Sequence, residues 1–564
     1  MNKTLLIIVL PIFIAIIGFT SNCQGQSTNF EPGSPAYPFL ERMEIKSGNL
    51  NNQLFLDIQP VQRSQVNRGL FCYRDKDSAY LRLSKVDRYW LDYLNDENLP
   101  YTNGNWNSSK NPVLKIFYQS KANFLQYTTK DSDFQVFVNP VLGFGLGREK
   151  DSSTLRYQNT RGMELRGSID KKVGFYTLLT DNQVSLPGYV QGYTKKYGAV
   201  PGVGYWKNFK KEGYDYYDAA GYITFSPDKH INIQFGNTQN FIGSGYRSLL
   251  LSDFAENYLN LMVTARIWRF QYQNIFAQLT TNDFSTSPYP IKYAAFHYLT
   301  FDAAKFLNIG VFEGVIFNDS NNRGRGFDFS YLNPLIFYDA VVNNNGAADK
   351  ETAGANINIL PARNFKIYGQ FLLNEFQAHE ILSSANWWGN KYGVQAGFKW
   401  IDIFGLHNVD WQSEFNLVRP YTYTSQFSVN NYSQYGQPLA DPLGANFREF
   451  INIIRINPIG PLDIKLELFY IQQGADSASG GPDYGSNIFI PYSHRTGDYG
   501  IAMLRGVLTN TIIAEAVVSY QLKHNLFIDL TGLFRHQTSA LYDHNTIYAS
   551  VGLRLNFARK EYMF

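Results

Sequence analysis

The stretch Ile547-Tyr548-Ala549-Ser550-Val551-Gly552-Leu553-Arg554-Leu555-Asn556-Phe557 reads as one β-strand with two unlike faces. Ile547, Ala549, Val551, Leu553, Leu555 and Phe557 share one parity, and Tyr548, Ser550, Gly552, Arg554 and Asn556 share the other. Successive side chains of a strand point to opposite sides, so one face is wholly apolar while the other carries a charge, an amide and hydroxyl groups. Such a strand suits a wall between lipid and water, or the edge of a soluble β-sandwich.

Two further strands separate these alternatives. Asn408, Asp410, Gln412, Glu414 and Asn416 alternate with Val409, Trp411, Ser413, Phe415 and Leu417, and Asp463, Lys465 and Glu467 alternate with Leu462, Ile464, Leu466 and Leu468. A basic side chain on the lipid face at mid-bilayer costs about 2–4 kcal/mol, and an acidic one less, so these rows must face a polar lumen. Composition agrees: 40 Tyr, 43 Phe and 45 Gly with only 44% hydrophobic residues suit strands that face lipid on one side and water on the other. Ser550, Gly552, Leu555 and Phe557 also resemble the C-terminal insertion signal of bacterial outer-membrane barrels, a polar residue, a glycine and two apolar residues ending in an aromatic.

From Phe134 onward the chain reads as a meander. Short connections at Ser226–His230, Ala303–Phe306, Pro361–Asn364, Phe404–His407, Pro458–Pro461 and Lys523–Asn525 alternate with long polar loops at 185–217, 237–256, 318–350, 374–390, 419–446 and 473–508. Short turns on one side and long loops on the other are the asymmetry of an outer-membrane barrel. With strands at 134–149, 153–169 and 172–183 and a tight turn near Arg269, the strand at 547–557 comes out last and pointing to the periplasm. The expected fold is therefore all-β, a transmembrane antiparallel β-barrel of about 18 strands in the cell outer membrane, with 113–129 outside the count.

Residues 1–25 read as a signal peptide: Lys3, an apolar run from Leu5 to Phe19, then small residues at Cys23 and Gly25. A lipoprotein anchored at Cys23 is the alternative, opposed by Asn22 and by the lack of a Leu three positions before the cysteine. Residues 26–133 hold Pro32, Pro35, Pro38 and Pro60, and Val86, Trp90, Leu91 and Tyr93 at helical spacing, so they predict a small, partly helical plug or a periplasmic domain. The barrel then spans 134–564. Without the leader, Cys72 is the only cysteine, which leaves no internal disulfide and no zinc motif.

No catalytic, cofactor or metal site is expected. The histidines at 230, 297, 379, 407, 494, 524, 536 and 544 form no HxH or HExxH spacing. The run from Asp319 places Arg323 at a calcium-ligand position and Ser330 where a bidentate glutamate belongs. No GxSxG is present. The formal charge of +3 implies neither nucleic acid nor an acidic partner.

The loop 187–217 is richer, with Tyr189, Tyr193, Tyr197, Tyr205 and Trp206 interleaved with Lys195, Lys196, Lys207, Lys210 and Lys211. Aromatic faces stack on sugar rings and ammonium groups pair with uronates or phosphates, so an acidic glycan is a candidate ligand. An aromatic girdle with basic residues meeting lipopolysaccharide is the competing explanation. Trp387, Trp388, Tyr421 and Tyr423 pose the same choice on other loops.

Several ordered segments resemble the Wzi-type capsule-assembly proteins of the outer membrane, especially the Bacteroidetes branch that includes the gliding-motility protein RemB. They are Gly188–Tyr217, Ser248-Leu249-Leu250-Leu251-Ser252 within Asn240–Asn260, Phe312-Glu313-Gly314, Tyr331-Leu332-Asn333-Pro334-Leu335, Gly369–Phe376, Trp387–Tyr392, Arg419–Tyr423 and Pro442–Asn446. The resemblance implies an 18-stranded barrel with a helical plug that binds surface polysaccharide and acts in capsule assembly or gliding, with motility or secretion proteins as further partners. Asn374 stands where that family's strand carries an acidic residue, which puts an ion pair there in doubt. A porin or glycan-uptake channel is the alternative function.

Overall fold

The computed structural model describes residues 27–564 apart from 52–53, 76–82, 102–108, 318–328, 337–349, 381–384, 478–480 and the single positions 111, 132, 151, 171, 376 and 378. The leader and most of the run from Asp319 to Ser330 lie outside the described residues.

The alternation read from the sequence closes into an 18-stranded antiparallel barrel. Its strands are β1 Phe134–Glu149, β2 Arg156–Ile169, β3 Val173–Ser185, β4 Gly213–Phe225, β5 Ile231–Thr238, β6 Tyr258–Ile267, β7 Phe270–Thr280, β8 Ile291–Ala304 and β9 Leu307–Phe317. They continue as β10 Lys350–Ala362, β11 Phe365–Glu375, β12 Lys391–Trp400, β13 Val409–Val418, β14 Phe447–Ile459, β15 Leu462–Ala475, β16 Val507–Lys523, β17 Leu526–Ser539 and β18 Asp543–Leu555. Closure pairs Tyr548–Leu555 of β18 with Glu149–Leu142 of β1, so every wall strand has two neighbours. That is what a sheet in hydrocarbon requires, since an open edge would strand backbone groups in lipid.

All six short turns fall at one end, together with exposed Trp268, Phe306 and Phe404, an aromatic rim of the kind that sits at a membrane interface. The opposite end carries the long loops. On β18, Ile547, Val551 and Leu553 are exposed on the lipid side as the alternation requires.

The sequence reading needs correction at three places. The closing strand ends at Leu555: Asn556 adopts φ 50°, its side-chain amide donates to the Pro140 carbonyl at 2.8 Å, and Phe557 lines the lumen instead of facing lipid. Leu125–Thr128, left out of the count, pairs with Val138–Gln135 of β1, on the edge of β1 that β18 occupies further along. The rule that ionisable side chains face the lumen also has an exception. His297 of β8 and Glu313 of β9 are cross-strand partners on the outward parity, and both are fully buried. Tyr331 stacks on the outward ring of Phe317 at 4.3 Å and the Tyr272 hydroxyl donates to the Pro334 carbonyl, so the segment around 331–334 lies over this part of the wall. His297 Nδ1 meets Asn274 Oδ1 at 2.6 Å beneath it. A polar cluster is tolerated here because protein, not lipid, covers it.

Three of the described segments that fill the lumen bear on the site. At the short-turn end lie α1 (Ala36–Ser47), α2 (Arg63–Asp75) and α3 (Lys85–Glu97). Helix α3 starts on a reciprocal capping box between Ser84 and Asp87, which satisfies two orphan amides. Arg42 binds Asp87 at 2.9 Å, Asp402 at 2.6 Å and Asp410, while Lys46 reaches Asp87 at 2.6 Å and Glu44 holds Lys366 at 3.0 Å. Glu97 accepts from Arg63 at 2.9 Å and lies 2.8 Å from His524 Nε2. Burial pushes the Asp87 and Glu97 carboxyls upward, but Arg42 and Lys46 at the first, and Arg166, His524 and Arg63 at the second, outweigh it and hold both below the usual range.

From the other end, residues 239–256 dip into the lumen. Phe241–Ile242 form a two-residue ladder with Gln59–Ile58, and Leu249, Leu250 and Leu251 are fully buried. The backbone amides of Tyr246 and Arg247 donate to Glu414 at 2.7 and 3.1 Å, which explains the inward acidic row of β13. The third segment is the tail 557–564. Between these layers lies a cavity of about 670 Å³ lined by groups such as Glu31, Arg63, Lys465, Glu467 and Arg559.

Candidate functional site

After β3 the chain turns at Pro187 into α4, Gly188–Tyr197. The Gly188 amide at its N-terminus donates to the Glu149 carboxylate at 3.0–3.1 Å, and Arg156 bridges Glu149 and Glu212, each at 2.7 Å. A carboxylate there complements the helix dipole, as Lys195 and Lys196 do in the last turn before the left-handed Gly198, at φ 72°. A hairpin follows, Lys207–Phe209 paired with Gly213–Asp215, in which Lys210 takes φ 53°.

This fold sorts the sequence candidates. Lys195, Lys196, Lys207, Lys210 and Lys211 are all exposed, and Tyr205 is 59% exposed. Lys196 lies 4.7 Å from the Tyr197 ring centre, Lys207 6.0 Å from that of Tyr205, and Lys210 5.1 Å from that of Phe209. Tyr189, Tyr193 and Trp206 are packed inward. The Tyr189 hydroxyl donates to the Tyr562 carbonyl at 2.9 Å, Tyr193 packs on Phe564, and Trp206 Nε1 donates to the Gly198 carbonyl at 2.9 Å. The loop therefore presents cations beside the exposed ring of Tyr205, with Tyr189, Tyr193 and Trp206 as foundation.

The second group has a different geometry. Lys391 Nζ and the Arg495 guanidinium each lie 4.2 Å from a ring centre of Trp388, with Tyr492 at 4.8 Å and Trp387 at 6.0 Å. Lys391 also pairs with Glu375 at 2.8 Å, and Arg495 with Asp498 at 2.7 Å. Tyr421 and Tyr423 are buried to 0% and 1%, their hydroxyls donating to the carbonyls of Asp483 and Leu249, both at 2.7 Å. Asn374 Oδ1 accepts from the Tyr423 amide at 2.8 Å, so this side chain secures a loop. Tyr421 and Tyr423 thus brace the loops and present no surface. Tyr492 and Arg495 were missed by sequence reasoning, because they come from a separate loop that no spacing links to Trp388; Lys391 stands three positions after Trp388, within Trp387–Tyr392, and was not singled out. Tyr197 packs on Phe489 at 5.5 Å, so the two groups share the loop that carries Tyr492.

Among the described residues no three His, Cys, Asp or Glu side chains converge as a metal cluster. Fold and surface together define an outer-membrane β-barrel stoppered from within, with an aromatic and cationic extracellular end. In structure the chain is similar to Wzi, an outer membrane protein involved in group 1 capsule assembly in Escherichia coli and a carbohydrate-binding β-barrel. The two are 14% identical, the match covers 95% of this chain and 100% of that one, and the TM-score is 0.57. Pseudomonas aeruginosa OccK3 (OpdO) matches 74% of this chain and 95% of its own at 9% identity and TM-score 0.41. Pseudomonas aeruginosa OprD matches 74% and 94% at 8% identity and TM-score 0.40. No family model and no curated protein matches the sequence. At these identities the likeness to Wzi is one of fold.

Proposed function

We propose that this barrel binds and anchors a surface polysaccharide of the capsular kind, as a non-enzymatic protein of the outer membrane. The observation that carries the reading is the set of five exposed lysines and Tyr205 on the 187–217 loop, held above a lumen filled by protein. Exposed ammonium groups beside an aromatic face fit an acidic sugar, and the Wzi fold is one on which carbohydrate binding occurs. An open diffusion pore fits less well, because Arg42 of the plug pairs with Asp402, Glu44 with Lys366 and Glu97 with Arg166, each a charged group of the wall or its turns. A motility role rests on the sequence motifs of the gliding branch, and colony spreading of a deletion strain is its readout.

The test is binding of the detergent-solubilised barrel to the cell's own surface polysaccharide, alongside a variant with Lys195, Lys196, Lys207, Lys210 and Lys211 replaced by Ala. Weakened binding by the variant supports the reading. Undiminished binding moves the site to another loop, and no binding by the intact protein removes the polysaccharide as ligand.

A further inference from the structure

The tail beyond β18 was read from the sequence only as the end of the barrel at 134–564, yet its side chains and carbonyls reach several separate parts of the molecule. After the turn at Asn556, Arg559 binds Glu515 of β16 at 2.6 Å, Lys560 binds Asp218 of β4 at 2.9 Å, and Glu561 pairs with Lys465 of β15. Residues on β4 and on β15–β16, far apart around the barrel, are thus tied through three consecutive residues. The tail also holds the layer above it. The Tyr246 hydroxyl donates to Glu561 at 2.9 Å, Arg247 donates to the Met563 carbonyl, and Met563 is buried against Ile451, Phe469, Ile513 and Leu533.

At the end of this run the Phe564 ring lies against Tyr193 at 4.9 Å, Tyr189 at 6.0 Å and Phe254 at 6.1 Å, while the Tyr562 carbonyl accepts from the Tyr189 hydroxyl at 2.9 Å. The inner face of α4 therefore rests on the tail. The helix is also anchored by the Glu149 contact at its N-terminus, by Val190 packed among Val184, Val200, Val203 and Tyr214, by Arg535 at 4.9 Å from the Tyr189 ring centre, and by the contact of Tyr197 with Phe489.

We infer that residues 557–564 are an internal strap that holds α4 in place at the barrel mouth, with Tyr562 and Phe564 as positioning residues for the lysine-bearing loop. The inference rests on the glycan reading only for its functional consequence. The strap itself stands on contacts inside the lumen. It works through shape: Phe564 fills the gap between Tyr189, Tyr193 and Phe254, and the ion pairs of Arg559, Lys560 and Glu561 fix where that ring is delivered.

The experiment compares the intact chain with Phe564→Ala and Phe564→Leu, reading amide hydrogen exchange across 189–197 and binding to the cell's own surface polysaccharide. Phe564→Ala should speed exchange in α4 by about tenfold or more, leave the β13–β15 amides unchanged and weaken binding, and Phe564→Leu should restore most of both. Unchanged exchange in Phe564→Ala overturns the strap. Faster exchange with undiminished binding overturns the positioning role. Faster exchange in a protein whose unsubstituted form binds no polysaccharide upholds the strap and removes the glycan reading, so the two failures are distinguishable.

Discussion

The two ends of the lumen are closed by different physics. At the short-turn end, charged groups from distant parts of the chain are buried in pairs, as Arg42 with Asp87, Asp402 and Asp410. At the long-loop end, rings and aliphatic side chains fill the space, and the lysines of 187–217 stay in solvent. Lysine is therefore structure at Lys46, Lys366 and Lys391, and available surface on the 187–217 loop. What separates them is whether folding has already supplied the counter-charge.

The sharpest way to break this comparison is at Arg42. Arg42→Ala leaves Asp410 without its cation and Asp87 and Asp402 with Lys46 alone, and should weaken plug docking by about 3–5 kcal/mol, read as faster hydrogen exchange in α1 and α3. Docking that survives unchanged would show that the ion pairs are incidental to the closure.

A second test uses pH. Burial lifts the Glu31 carboxyl from 4.5 to about 7, against the hydrogen bond it accepts from Tyr222. Below pH 4.5 the group is neutral whether the plug is folded or unfolded and contributes nothing. As pH rises through this window the folded chain holds the extra proton, so docking weakens, by about 3 kcal/mol at most once above pH 7. Glu31→Gln should flatten that dependence, and a slope that persists would assign it to other groups.

At the other end, Tyr423→Phe deletes the bond to the Leu249 carbonyl and leaves a buried acceptor unpaired, which should cost about 1–3 kcal/mol in local loop stability, measured by hydrogen exchange of residues 249–251. The smallest structural effect belongs to the five exposed lysines. Replacing any one of them by Ala should shift unfolding stability by no more than about 0.5 kcal/mol, although polysaccharide binding is expected to fall when all five are replaced. A large loss of stability would mean that these cations are structural after all.

The candidate site was only partly legible in the sequence. Lys195 to Lys211 were found because exposure follows from charge density in a polar loop. Tyr421 and Tyr423 looked equivalent to Tyr205, yet they are buried, because whether a loop ring is covered depends on which other loop lands on it. Arg495 could not be linked to Trp388 by any spacing, since the contact is made across two loops.

The sequence by itself determined the barrel. Period-two alternation, inward rows such as Asp410–Glu414 and Lys465–Glu467, and the contrast of short and long connections are local signals that the lipid environment forces every strand to carry. Only tertiary structure decided where exceptions to that pattern go: Phe557 and the tail turned inward, and His297 with Glu313 set outward beneath the segment around Tyr331. Each depends on a partner distant in the chain, and a residue's own neighbours carry no record of that partner.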